Sequence, residues 1–109
     1  MSLKITRDEN DDKVILRLTG DIVLFSIEPI RKAFFETLQG ERKPVLLDLS
    51  LVTKIDSTGI GQFVDFQNRL KGQERILYLC EMNRNIREMM ELAGVTGLFN
   101  LRESLDDAE

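Results

Sequence analysis

Short β-rich runs alternate along the chain with stretches whose apolar residues recur at helical spacing. Val14-Ile15-Leu16-Arg17-Leu18, with residues 3–7 before it, predicts two strands joined by a polar hairpin loop, and Gly20 is expected to break the second run. From Ser26 onward, Ile27, Ile30, Ala33, Phe34 and Leu38 share one helical face. Ser26 is the expected N-cap of that helix, Pro29 fits its first turn, and Gly40 supplies a stop. Residues 44–49 are nearly continuous in apolar character, as in a strand covered on both faces, with its end expected near Leu49. After a short loop, Ile60, Phe63, Val64, Gln67 and Leu70 mark a second helix that begins near Ser57 and ends at Gly72. Residues 75–80 read as another buried strand. Ile86, Met89, Met90 and Ala93 form a third helical face, with Asn83 or Asn85 as cap and Gly94 as terminator. Leu98-Phe99 suggests a final short strand, and the sequence from Glu103 onward a fourth helix.

This order, β-β-α-β-α-β-α-β-α, predicts an α/β domain with a mostly parallel central sheet and about four helices. With 109 residues, short loops, and neither repeats nor low-complexity linkers, residues 1–109 are expected to form a single domain around one core.

Composition then removes whole classes of chemistry. The formal charge is −4, from 15 basic and 19 acidic residues, which argues against generic nucleic-acid binding. No segment approaches the ~20 apolar residues of a membrane span, and the N-terminus lacks the apolar core of a secretory signal. One cysteine, Cys80, cannot form an internal disulfide; it reads as a buried thiol, and a cytoplasmic location is expected. Without histidine there is no Ser–His or Cys–His pair and no histidine zinc site. Gly59-Ile60-Gly61 matches neither the dinucleotide fingerprint nor a P-loop. No enzymatic activity and no cofactor are expected.

The informative stretch lies between the third strand and the second helix. Ser57 falls at or beside the helix start, where its hydroxyl is expected to cap backbone N–H groups, a sufficient structural reason for a serine. Gly59 and Gly61 weaken the helix by ~1 kcal/mol each relative to alanine, which makes sense if something approaches the backbone closely. Leu47-Asp48-Leu49-Ser50-x-Val52-x-x-Ile55-Asp56-Ser57-Thr58-Gly59-Ile60-Gly61 resembles the signature of STAS domains, the modules of anti-sigma factor antagonists and sulfate-transporter tails. Gly20-Asp21-Ile22, the Ile86, Met90, Gly94, Val95 set and the end at Ser104-Leu105-Asp106-Asp107-Ala108 extend the likeness over most of the chain.

The resemblance implies a phosphorylation switch. It makes Ser57 the phosphoacceptor, with Thr58 as the alternative, and places Asp21, Ile22, Val23, Asp56, Ser57, Thr58, Gly59, Ile60 and Gly61 at the partner interface. The implied partners are an ATP-binding anti-sigma factor with serine kinase activity, bound by the unphosphorylated protein so that a sigma factor is released, and a serine phosphatase that reverses the modification. Asp56 either orients the acceptor hydroxyl or is an ordinary loop carboxylate capping nearby amides. Val23 stands where family members often carry a second acid, so Ile22-Val23-Leu24-Phe25 is unusually apolar: a contact patch if exposed, an extension of the core if buried. Partial exposure is expected from the family's placement of this loop. A second reading, an unphosphorylated STAS subunit of a transport or stress-sensing assembly, is disfavoured by the retained Asp56-Ser57-Thr58.

Overall fold

Alternation within the strands builds the core of the computed structural model, which describes residues 2–106. The elements are β1 (Lys4–Glu9), β2 (Val14–Ile22), α1 (Glu28–Leu38), β3 (Val45–Ile55), α2 (Ser57–Gly72), β4 (Leu77–Cys80), α3 (Arg84–Leu92) and β5 (Asn100–Arg102), with short 3-10 turns at Leu24–Ser26 and Thr96–Leu98. The sheet has the order β1-β2-β3-β4-β5; β1 is antiparallel to β2, and every other pairing is parallel. Leu16, Leu18, Leu47, Leu49, Leu77 and Leu79 point to one face, where Ile30, Phe34, Phe63, Phe66, Leu70, Ile86 and Met90 close the core. Within it the rings of Phe34 and Phe66 stack at 3.9 Å, a large apolar contact between α1 and α2. On the opposite face Ile15, Leu46 and buried Cys80 form a smaller cluster with Tyr78 and Leu105.

The α/β class, the mostly parallel sheet and the sites of α1, α2 and α3 agree with the sequence reading; several boundaries do not. The described residues contain three α-helices, not about four. Residues 103–106 are bends and turns, because Leu105 packs on the second sheet face and its N–H donates to the Glu81 carboxylate at 2.9 Å. The rest of the expected fourth helix lies outside the described residues. Leu98 belongs to a 3-10 turn, and the final strand starts at Asn100.

Gly20 does not end β2: at φ 111° it lies inside a strand that runs on to Ile22, with register shifts on either side of it. Glycine tolerates that backbone conformation, so the irregularity is absorbed without breaking the ladder. Nor does β3 stop at Leu49. It pairs with β2 as far as Ile22↔Ile55, although its partnership with β4 ends at Asp48↔Cys80. The second half of β3 therefore has one strand neighbour and carries the polar residues of an exposed edge, which in sequence look like a loop. Side-chain amides replace the missing strand there: Asn83 donates to the Val52 carbonyl at 2.8 Å and Asn85 to the Thr53 carbonyl at 3.3 Å.

Candidate functional site

Everything the sequence singled out gathers where β2 and β3 end and α2 begins. Asp56, not Ser57, is the N-cap of α2: it has extended backbone, and its Oδ1 accepts the Gly59 N–H at 3.0 Å. A carboxylate suits this place because it meets unpaired N–H groups at the positive end of the helix dipole. Its other oxygen accepts the Leu24 N–H at 3.1 Å, and its own N–H donates to the Ile22 carbonyl at 3.2 Å. One residue thus ties the end of β2, the following 3-10 turn and the first turn of α2 together. Of the two roles left open for Asp56, capping and holding the loop is what the geometry displays.

Ser57 is relieved of the capping role. It is the first residue of α2, exposed, and among the described residues its hydroxyl makes no hydrogen bond. Thr58, beside it, is half-buried. The two glycines differ sharply. A Cβ on Gly59 would lie 2.5 Å from the Ile22 carbonyl oxygen and 2.8 Å from Ile55 Cγ1, so close packing of α2 on the sheet requires glycine there. A Cβ on Gly61 would meet nothing within 4 Å. Gly61 is exposed, and no packing inside the chain accounts for its cost to the helix. Ile60 is partly buried against the core.

Asp21 lies on β2 itself rather than on a loop and is 8% exposed. The Thr53 hydroxyl donates to its Oδ1, and this bond holds the Asp21 carboxyl below the usual carboxylate range. Its main-chain carbonyl accepts the Ser26 hydroxyl at 2.6 Å, which replaces the capping role expected of Ser26; α1 instead starts after Ile27 without a side-chain cap. The apolar segment divides: Ile22 is fully buried, Val23 half-buried, Leu24 54% exposed and Phe25 97% exposed. Thr53 and Ser26 escaped the sequence reading as parts of the site. Both act across the fold or on main chain, and no local spacing signals that. Among the described residues no group of three or more His, Cys, Asp or Glu is placed to hold a metal.

Comparison with known proteins identifies the family and the fold. The STAS domain model matches residues 4–108, and the chain belongs to the STAS domain family. The anti-sigma-B factor antagonist of Staphylococcus epidermidis is 23% identical over 106 residues, which cover 97% of this chain and 98% of that one. A putative anti-sigma factor antagonist from Thermotoga maritima superposes with a TM-score of 0.82 at 21% identity, over 93% of this chain and 87% of the other. The phosphorylated form of the Bacillus cell fate determinant SpoIIAA gives 0.67 at 17% identity, over 92% of each chain. These structural likenesses establish the shared fold. No helix among the described residues is long and apolar enough to cross a membrane.

Proposed function

We propose that this protein is an anti-sigma factor antagonist switched by phosphorylation of Ser57. The observation that carries the reading is the division of labour at the start of α2: Asp56 takes the cap, and the Ser57 hydroxyl is left exposed and unengaged. A serine kept only as a cap would be expected to bond the helix amides. The names of the staphylococcal and Thermotoga relatives support the role, and the existence of a phosphorylated form of SpoIIAA supports the switch.

In this reading the unphosphorylated protein binds an ATP-dependent anti-sigma kinase in the cytoplasm and frees a sigma factor. The kinase transfers the γ-phosphoryl group of ATP to Ser57 Oγ, the hydroxyl proton leaves, ADP departs, and a serine phosphatase later hydrolyses the ester. The chain is substrate and binding surface rather than catalyst. Phosphate adds about −1.5 to −2 charges at a helix N-terminus, where the dipole favours an anion, so the domain stays folded. The cost falls on the complex. A dianion ~6 Å from an acidic partner group repels it by ~1.4 kcal/mol in a water-like dielectric, and more when desolvated, enough for a tenfold loss of affinity.

Incubation with the kinase and ATP should place one phosphate on Ser57, located by fragmentation mass spectrometry. Ser57→Ala should bind the kinase without being modified, and Ser57→Asp should bind at least ~10-fold more weakly by titration calorimetry. Phosphate on another residue, or equal affinities of the two variants, would sink the proposal.

A further inference from the structure

β1 forms one border of the sheet: it pairs with β2 alone, and all its residues but Ile5 are exposed. The ladder shows which of its main-chain groups face outward. The Val14 N–H donates to the Pro44 carbonyl at 2.9 Å, on the β3 side, and the Asn10 N–H closes the hairpin on the Lys13 carbonyl at 3.1 Å. Glu9, opposite Val14, is thus a position that exchanges no hydrogen bonds with β2. By antiparallel alternation, the N–H and C=O groups of Ile5, Arg7 and Glu9 all point away from the sheet. Among the described residues no hydrogen bond takes up those of Ile5 and Arg7. The opposite border, β5, is only three residues long and offers little to pair with.

Charges on an edge strand commonly keep other edges away. On β1 their order does the reverse: Lys4 and Arg7 precede Asp8 and Glu9, so an antiparallel copy of the same strand brings unlike charges together. We propose that β1 is a self-complementary interface, where a second copy of this chain adds its own β1 and joins two five-stranded sheets about a twofold axis at Thr6. Three constraints select that register. Ile5 then faces Arg7 of the second copy, and the outward N–H and C=O groups are exchanged. A shift of one residue pairs positions that point to opposite faces. A shift of two sets Arg7 against Arg7 in one direction, and in the other takes Asp8 past the start of β1. With the axis at Thr6, Lys4 lies opposite Asp8 of the second copy, and the symmetry makes this pair twice. Asp8 also meets Arg17 of its own chain, at 3.4 Å. On the helix side, the aliphatic stem of each Arg7 covers Ile5 of the other copy, at a groove between β1 and α1 floored by Leu16 and Ala33. The interface is independent of the Ser57 reading: β1 begins opposite Thr19 and does not reach Ile22, whose carbonyl holds Asp56.

A contact of one short strand pair falls below the ~1,200 Å² of standard interfaces, so association is weak, with a dissociation constant of ~0.1–1 mM. Sedimentation of the full chain at ~1 mM should show the dimer. Lys4→Glu and Asp8→Lys should each weaken it at least ~10-fold, because like charges then face each other twice, with little change in melting temperature. Mixed in equal amounts, the two variants should dimerise within about threefold of the wild-type constant, since every facing pair is again unlike. Arg7→Pro removes an outward N–H, leaves the β2 ladder intact and should abolish association. A wild-type chain that stays monomeric at ~1 mM overturns the proposal. So does a dimer that Lys4→Glu and Arg7→Pro leave unchanged, which must form elsewhere on the surface. Failure of the mixture to recover, with both variants folded, overturns the register. Growth beyond the dimer overturns the twofold closure.

Discussion

At the end of the sheet where β3 and β4 begin, Arg75 is only 3% exposed and donates to the Lys43 carbonyl at 2.7 Å, the Thr37 carbonyl at 3.1 Å and Gln73 Oε1 at 2.9 Å. At the end where β2 and β3 finish, Asp56 and Asp21 also bind main chain and a neighbouring hydroxyl, but Ser57 and Phe25 face solvent beside them. Both ends use charged groups to fasten chain segments. Arg75 joins the last turn of α1, the entry to β3 and the end of α2, and its bonds are turned inward. The carboxylates fasten the frame of a surface on which the Ser57 hydroxyl and the Phe25 ring stay exposed. The difference separates a charged group turned inward among main-chain acceptors from carboxylates that brace the segment proposed above as the switch.

Substitution at the structural end should have the largest effect. Arg75→Met strands one buried and two part-buried acceptors and should lower stability by ~3 kcal/mol in urea unfolding, with kinase affinity per folded molecule unchanged. Loss of affinity at unchanged stability would break the contrast between the two ends. The glycines sharpen it next. Gly59→Ala forces a methyl against the Ile22 carbonyl and should destabilise by ~1–3 kcal/mol, whereas Gly61→Ala, in open space, should stabilise by up to ~1 kcal/mol in thermal unfolding. Destabilisation by both would mean that the exposed side of α2 is held by the fold as tightly as its buried side.

The smallest effect concerns pH. The Asp21 carboxyl is held below its unfolded value of about 3.9 chiefly by the Thr53 hydroxyl. Its depressed folded pKa means that the unfolded state takes up the proton first. The stabilisation is therefore present above pH ~4 and is lost as pH falls through the folded value. Thr53→Val should reduce that acid-side loss, read as a shallower fall of the urea midpoint below pH ~4. An unchanged profile would assign the depression to something other than this bond.

Much of this was legible in one dimension. The periods of 2 and 3.6 identify the strands and α1, α2 and α3, because burial of one face imposes them on the sequence. The stretch from Leu47 to Gly61 stands out through its resemblance to the STAS signature, although the sequence assigns the cap to Ser57 where the structure gives it to Asp56. What escaped depended on partners distant in sequence. Residues 50–55 look like a loop because strand periodicity fades once β4 no longer covers them, and only the ladder with β2 keeps them extended. Residues after Glu103 have helical composition, yet Leu105 is drawn onto the sheet's second face.

The sequence by itself determined the α/β alternation, the family and the segment that carries Ser57, since each is written in local spacing and residue type. Only the tertiary structure decided which of two adjacent residues caps α2. It also decided which glycine the packing requires, and that Asp56 reaches across 32 positions to hold the turn bearing Phe25. Those outcomes depend on what lies opposite each group in space. A hydrogen-bond donor or a carbonyl 2.5 Å away leaves no trace in the residues beside it.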